Sequence, residues 1–197
     1  MKKWLFGGCG LLALLGAVLL VFGLFLMSTY NRMVTLDQRV QESWSQVENT
    51  LQRRADLVPN LVETVKGYAA HEREVFEEVA RARGRLAGAA TPQEASAANA
   101  GLTSALGRLL AIAEAYPQLR ASENFTRLQD ELAGTENRIA VARRDYNGQV
   151  REFNTLIARF PANVAARMLG FAPRDFFEAD EGSREVPKVD FGSPSGA

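Results

Sequence analysis

One cysteine and one histidine occur in the 197 residues, and that scarcity removes whole classes of chemistry. Cys9 alone makes no internal disulfide and no CxxC pair, so cysteine usage leaves the redox compartment open. Its setting, Phe6-Gly7-Gly8-Cys9, loosely resembles that of a lipid-modified cysteine, but too few residues precede it for a signal's apolar segment. His71 stands without a Glu-x-x-His pair, so a di-iron site in a bundle core lacks its ligands. Ser-His-Asp hydrolysis would have to be built around His71 alone, and a surface histidine on a helix is the simpler reading. No GxxxxGK[ST] or GxGxxG string is present to cradle phosphates. Net charge is missing as well: 23 basic residues balance 23 acidic ones, without the basic stripe that a nucleic-acid partner demands. The expectation is a chain that is no enzyme, holds no cofactor or metal, and binds no nucleic acid.

What the chain does have is an uncharged run. Residues 4–31 follow the pair Lys2 and Lys3 without one Asp, Glu, Lys or Arg. A bilayer's hydrocarbon core takes about 20 helical residues to cross, and residues 5–27 supply them. A cleaved signal peptide is the bland alternative, but its apolar stretch is usually about 7–15 residues and ends in small residues. Here the far end reads Phe25-Leu26-Met27-Ser28-Thr29-Tyr30, a poor cleavage site. Residues 1–30 are therefore expected to be an uncleaved transmembrane anchor, with residues 4–30 in the lipid. Lys2, Lys3 and the amino terminus outweigh Arg32 and Arg39 by one charge, so the positive-inside rule favours a cytoplasmic N-terminus with the main domain outside. Gly7/Gly10 and Gly16/Gly23 fall at helical intervals, though without a clean GxxxG their simpler role is to face lipid.

Residues 31–177 make one domain with a real core, and its periodicities are helical throughout. Val40, Trp44, Val47, Leu51 and Ala55 recur at steps of four and three, one face of an amphipathic helix. No Gly or Pro separates this helix from the anchor, so the two read as continuous, and Pro59 is expected to end or kink it. Asn60, three residues before Glu63, then caps a second helix with Val62, Val65, Ala69, Phe76 and Val79 inward, fraying at Gly84 and Gly88. Thr91-Pro92-Gln93-Glu94 is a clean start for a third helix, whose face is Ala98, Leu102, Ala105, Leu109 and Ile112 and whose end is Tyr116-Pro117. Ser122 is placed to cap a fourth and longest helix, from Glu123 to about Phe160. Its seam is Phe125, Leu128, Leu132, Thr135, Ile139, Ala142, Tyr146, Val150, Phe153, Ile157 and Phe160. The steps alternate three and four until paired fours around Tyr146, a stutter that unwinds a supercoil locally.

Pro161 closes that helix, and residues 164–177 read as a short amphipathic piece packing back through Met168, Leu169, Phe171 and Phe176. The tail, residues 178–197, is acidic and carries Pro187 and Pro194, the composition of a disordered segment. The fold class predicted is all-α: a transmembrane helix, then an elongated antiparallel four-helix bundle with long helices. A coiled-coil oligomer on the fourth helix is the runner-up, weakened by Gly134 and Thr135 in its seam.

Two stretches carry more identity than a generic bundle requires: QRRADLVPNLVETVKGYAAHE, residues 52–72, and ENRIAVARRDYNGQVREFNTLIARFP, residues 136–161. With AEAYPQLRASENFTRLQDEL (113–132) between them, they closely resemble the LemA family of bacterial membrane-anchored proteins. The resemblance covers nearly everything from Tyr30 to Phe177. It implies a single-pass membrane protein with a long-helix bundle, brings no catalytic residues, and points to partner binding of the kind associated with membrane zinc peptidases and envelope stress.

The polar residues of these motifs are the candidate site: Arg53, Arg54, Asp56, Pro59 and Asn60 in one, Arg143, Arg144, Tyr146 and Asn147 in the other. A structural reading has the arginines satisfy helix-end carbonyls or acids across the bundle, Asn60 cap, and Tyr146 bury its ring while its hydroxyl finds a partner. A functional reading brings the Pro59 break and the stutter together as a polar groove for a peptide, an anionic group or a partner helix. The functional expectation is a non-enzymatic scaffold or partner-binding module at the bacterial inner membrane. Its protein partner is unidentified, with a membrane peptidase as one candidate, and a homo-oligomer is compatible with it. The alternative is a sensor whose helical stalk couples a bound ligand to a membrane partner such as an envelope peptidase.

Overall fold

The computed structural model describes residues 2–177, with side chains from residue 14 onward. The described chain is all-α, in the order α1 (Lys2–Lys66), α2 (Arg73–Ala87), α3 (Pro92–Ala115), α4 (Pro117–Arg120), α5 (Glu123–Ala158) and α6 (Ala162–Leu169), with no strand among these residues.

Helix α1 changes environment along its length. Leu14, Leu15, Val18, Leu19, Leu20, Val21, Phe22 and Leu24 all stand exposed, so this stretch is apolar around its whole circumference with no protein to cover it. By length and composition it is able to cross a membrane, and the bare circumference is what distinguishes it from a core helix, which would be packed on every side. From Met33 the pattern becomes one-sided: Met33, Leu36, Val40, Val47, Leu51, Ala55, Val58, Leu61 and Val65 are buried. The anchor and the first amphipathic helix are one helix, as the lack of Gly and Pro predicts. The expected break at Pro59 does not occur, because Pro59 lies inside α1, which runs on to Lys66. Asn60 consequently caps nothing; it is exposed in mid-helix, its carbonyl accepting from Thr64 Oγ1 at 2.8 Å.

The chain divides into two compact units. The first combines α1 up to Thr50 with Arg138–Asp175. Here the α5 seam buries Ile139, Ala142, Tyr146, Val150, Phe153 and Ile157, as its spacing predicts, but Phe160 is 82% exposed. Helix α6 buries Ala162, Ala165 and Ala166. It ends at Gly170, whose φ of 78° lies in the left-handed region that glycine occupies without Cβ strain. The N–H of Phe171 then reaches back to the Ala166 carbonyl at 2.9 Å. The apolar contacts expected of this segment are therefore partly wrong. Phe171 packs, with its ring centroid 6.2 Å from Tyr30 and 6.2 Å from Phe153, whereas Met168, Leu169 and Phe176 are exposed. Alanines spaced three and four apart hold the inner face of α6, and that turns Met168 outward.

The second unit combines Leu51–Asn137 with Phe176 and Phe177. His71 is exposed in the turn between α1 and α2 rather than on a helix. Helix α2 buries Phe76, Val79, Ala82 and Leu86 and stops at Gly88. Helix α3 opens as its sequence predicts: the Thr91 side chain accepts from Glu94 N, and Glu94 Oε2 accepts from Ala90 N at 2.9 Å. That reciprocal arrangement satisfies N–H groups that have no partner inside the helix. Leu102, Ala105, Leu106 and Leu109 form its buried face, with Ala113 beyond. The single turn α4 buries Leu119, and α5 contributes Phe125, Leu128, Leu132 and Thr135 to the core. The fully buried Thr135 hydroxyl donates to the Leu132 carbonyl at 2.7 Å, which is how a polar side chain is tolerated in the seam. The acidic tail expected to be disordered, and the side chain of Cys9, lie outside the described residues.

Candidate functional site

The motif around Pro59 is built by α1 in the second unit. Arg53, Asp56, Pro59 and Asn60 are exposed and only Arg54 turns inward, at 5% exposure. Its guanidinium donates to Asn99 Oδ1 on α3 at 2.7 Å and pairs with Glu136 Oε2 on α5 at 2.6 Å, so one side chain ties three helices. Burial pulls the Arg54 guanidinium below its ordinary value, and the Glu136 carboxylate opposes that shift. Arginine's high intrinsic basicity keeps it charged regardless. Asp56 accepts from Gln52 Nε2 at 2.8 Å along the same helix.

Pro59 passes through a helix interior at a specific cost. Proline lacks the N–H that would serve the carbonyl four residues earlier, which is that of Ala55. That carbonyl is not orphaned, because Arg83 of α2 donates to it through Nε at 2.9 Å. Sequence reasoning missed Arg83, Asn99 and Glu136, since their partners lie tens of residues away and no local pattern flags them. On the exposed side of Pro59, a groove of about 440 Å³ opens between α1 and α2. Val58, Val62, Phe76 and Ala80 give it an apolar floor, with Lys66, Arg73 and Arg83 set against Glu63 and Glu77 around it. Lys66 is held there, 2.8 Å from Glu63 Oε1 and 5.8 Å from the Phe76 ring centroid.

The second motif belongs to the first unit. Tyr146 is 3% exposed, its ring centroid 5.2 Å from that of Trp44, and its hydroxyl donates to the Asp175 carbonyl at 2.8 Å. Burial, reinforced by the Asp175 charge and opposed by Arg174, pushes the phenol up to about 12. Arg143 and Asn147 are half-buried and Arg144 is exposed. The stutter at Tyr146 thus accommodates a strap formed by residues 171–175. Arg174 exchanges two backbone hydrogen bonds with the Asn154 side chain, both 2.8 Å, and its guanidinium pairs with Asp37 of α1 at 2.8 and 2.9 Å. Asp37, Trp44, Asn154 and Arg174 are the residues missed here. Asn154 lies on the same helix eight residues after Tyr146, but its partner is 20 positions away, so no local pattern flags it.

The two motifs thus fall in different units, and the buried member of each, Arg54 and Tyr146, finds partners within its own. The exposed members line open surface. Among the described residues, no three His, Cys, Asp or Glu side chains converge as a metal-binding group.

Comparison with known proteins adds a family. The model of the LemA family matches residues 43–191. Two magnetosome proteins of Paramagnetospirillum magneticum, MamQ 1 and MamQ 2, are each 30% identical over 179 residues, covering 78% of this chain and 66% of theirs. The chain thus spans just under two thirds of the length of these relatives. Protein LemA of Metamycoplasma hominis is 24% identical over 155 residues, covering 77% of this chain and 69% of that protein.

Proposed function

This chain belongs to the LemA family, and from that premise we propose that it is a membrane-anchored, non-enzymatic module that binds a protein partner at the bacterial inner membrane. The observation that carries this reading is the groove beside Pro59. It has an apolar floor, charges of both signs around it, and a lining that includes Val58 and Pro59 of the QRRADLVPN stretch. Such a groove suits the apolar side chains of a peptide or helix, with flanking charges setting register. The unbroken course of α1 from the lipid-exposed segment to Lys66 supports anchoring, since the helix that faces lipid is the one that lines the groove. The same continuity favours a second reading, in which occupancy of the groove is relayed along α1 to a membrane partner. In either case the one-charge excess before the span favours a cytoplasmic N-terminus with the helical domain outside.

The test is photo-crosslinking in cells from probes replacing Arg53 and Val62, read by mass spectrometry. The expected result is one reproducible membrane or envelope protein captured from both positions. Capture only of residues of the same chain, or of a second copy of it, would overturn the heterologous-partner reading.

A further inference from the structure

The first unit exposes a second apolar surface that the anchor does not account for. Val164 is 51% exposed and Met168 78%, and their four-residue step sets both on one side of α6, while Phe160, 82% exposed, stands in the turn that leads into it. Opposite them, Ala162, Ala165 and Ala166 are buried, so α6 is apolar on its inner and its outer face alike. An exposed helix in water normally presents polar residues outward. This one presents its largest apolar side chains, with Arg167 beside them.

The position of α6 along α1 says what covers that face. The chain entering α6, at Phe160 and Ala162, lines a cavity with Phe25, Thr29 and Arg32 of α1. The chain leaving it returns to Tyr30 through Phe171. Both ends of α6 are thus pinned beside residues 25–32, where the uncharged run of α1 gives way to its first arginine. That is the level at which a helix crossing about 30 Å of hydrocarbon emerges into the headgroup layer. The cavity, about 640 Å³, is lined by Arg32, Arg151 and Arg159 against the single acid Glu152. Clustered arginines at headgroup level match the phosphates of anionic lipids.

We propose that α6 lies in the membrane interface, Val164 and Met168 of its outer face and Phe160 of the turn before it inserted among the acyl chains, while Arg32, Arg151 and Arg159 bind an anionic phospholipid headgroup in the adjoining cavity. The occupant is the bilayer that already surrounds α1, so the surface continues an existing contact rather than adding a new partner. Apolar side chains on one face with cations beside them is the arrangement of an interfacial helix, whose affinity combines buried apolar area with attraction to anionic lipid. The first unit is thereby held against the membrane at two elements, the span and α6.

The experiment uses the full chain in nanodiscs of phosphatidylcholine alone or mixed with phosphatidylglycerol. Cys9→Ser provides a background for single cysteines carrying an environment-sensitive fluorophore at Phe160, Val164 or Met168, with Ser45, exposed further along α1, as the control. Lipids bearing a quencher near the headgroup should reduce emission several-fold at the three α6 positions and leave the Ser45 label unchanged. Phosphatidylglycerol should deepen quenching at Met168, and Arg151→Gln with Arg159→Gln should abolish that increment while far-UV circular dichroism is retained. Equal quenching at Met168 and Ser45 would overturn the insertion, and would mean that α6 faces water or a protein absent from the nanodisc. An unchanged phosphatidylglycerol increment in the double variant would overturn the headgroup site. The labels act singly, so the failure of one variant to fold leaves the comparison with the other two intact.

Discussion

Replacing Arg83 by methionine keeps most of the aliphatic stem and removes the donor that serves the Ala55 carbonyl across 2.9 Å. Within an α-helix that carbonyl would be served by the N–H of residue 59, and proline has none. Ala55 is 2% exposed, so water does not reach its surroundings without opening the packing. A hydrogen bond from a charged donor contributes about 1.5–3 kcal/mol, and a buried acceptor left bare costs about 1–3 kcal/mol. We therefore expect Arg83→Met to destabilise the second unit by about 2 kcal/mol. The single variant does not separate the hydrogen bond from the packing of the arginine stem. A double-mutant cycle does.

Pro59→Ala restores the missing N–H, so the carbonyl regains a helical partner and no longer depends on α2. Alone, Pro59→Ala should stabilise by less than the roughly 3 kcal/mol that separates proline from alanine inside a helix, because Arg83 already offsets part of that penalty. In the Pro59→Ala background, Arg83→Met should cost only the packing of its stem, leaving a coupling energy of about 1–2 kcal/mol between the two sites. Urea unfolding of the full chain in nanodiscs, followed by far-UV circular dichroism, measures all four corners of the cycle. If Arg83→Met costs the same with proline or alanine at position 59, the arginine does not compensate the proline and the explanation for the unbroken helix fails.

Three further outcomes rest on the same contacts. Glu136→Gln removes the charge that accompanies the buried Arg54 guanidinium and leaves it with Asn99 as its other partner, so a loss of about 1–3 kcal/mol is expected in urea melts. Tyr146→Phe should cost about 1 kcal/mol through the lost hydrogen bond to the Asp175 carbonyl. It should also change the alkaline response. Because the folded phenol titrates at about 12, above its ordinary value near 10, the stability it contributes is fully present below the lower value. That stability is lost as pH rises through this window, so the variant should melt with a shallower alkaline slope. Asn154→Ala, which removes both hydrogen bonds to the Arg174 backbone, should release residues 171–175 in hydrogen exchange more than Asp37→Asn, whose ion pair is half open to water on the Arg174 side.

The helical periodicities were legible wherever one face alone had to be buried. Ten of the eleven seam residues predicted for the longest helix are buried, and the exception, Phe160, lies past the end of α5, where it lines a cavity with Phe25 and Thr29. The Thr91 cap was legible because its partners lie within four residues. What escaped the sequence was long-range and polar. Nothing near Arg83 announces that it serves a carbonyl 28 positions earlier, and Arg174 meets Asp37 across 137 positions. Of the candidate site, the motifs did contain the buried anchors Arg54 and Tyr146. The groove wall of α2 had no signature of its own, since Phe76 read only as core.

Two of the errors of the sequence reading have a common origin. A local rule says that proline ends a helix, and it failed at Pro59 because α2 supplies a donor from outside the helix. A global rule says that large apolar side chains turn inward, and it failed at Phe160 and Met168, in a segment that lies beside residues 25–32 of α1. Each rule assumes a solvent: water around the helix in one case, water around the domain in the other. At Ala55 protein replaces water as the hydrogen-bond partner. At α6, on the proposal above, lipid replaces water as the medium the face meets. Both departures therefore concern groups whose partner is something other than water. The cycle at Pro59 and the quenching profile of α6 address those two environments independently, because each unit carries one of them.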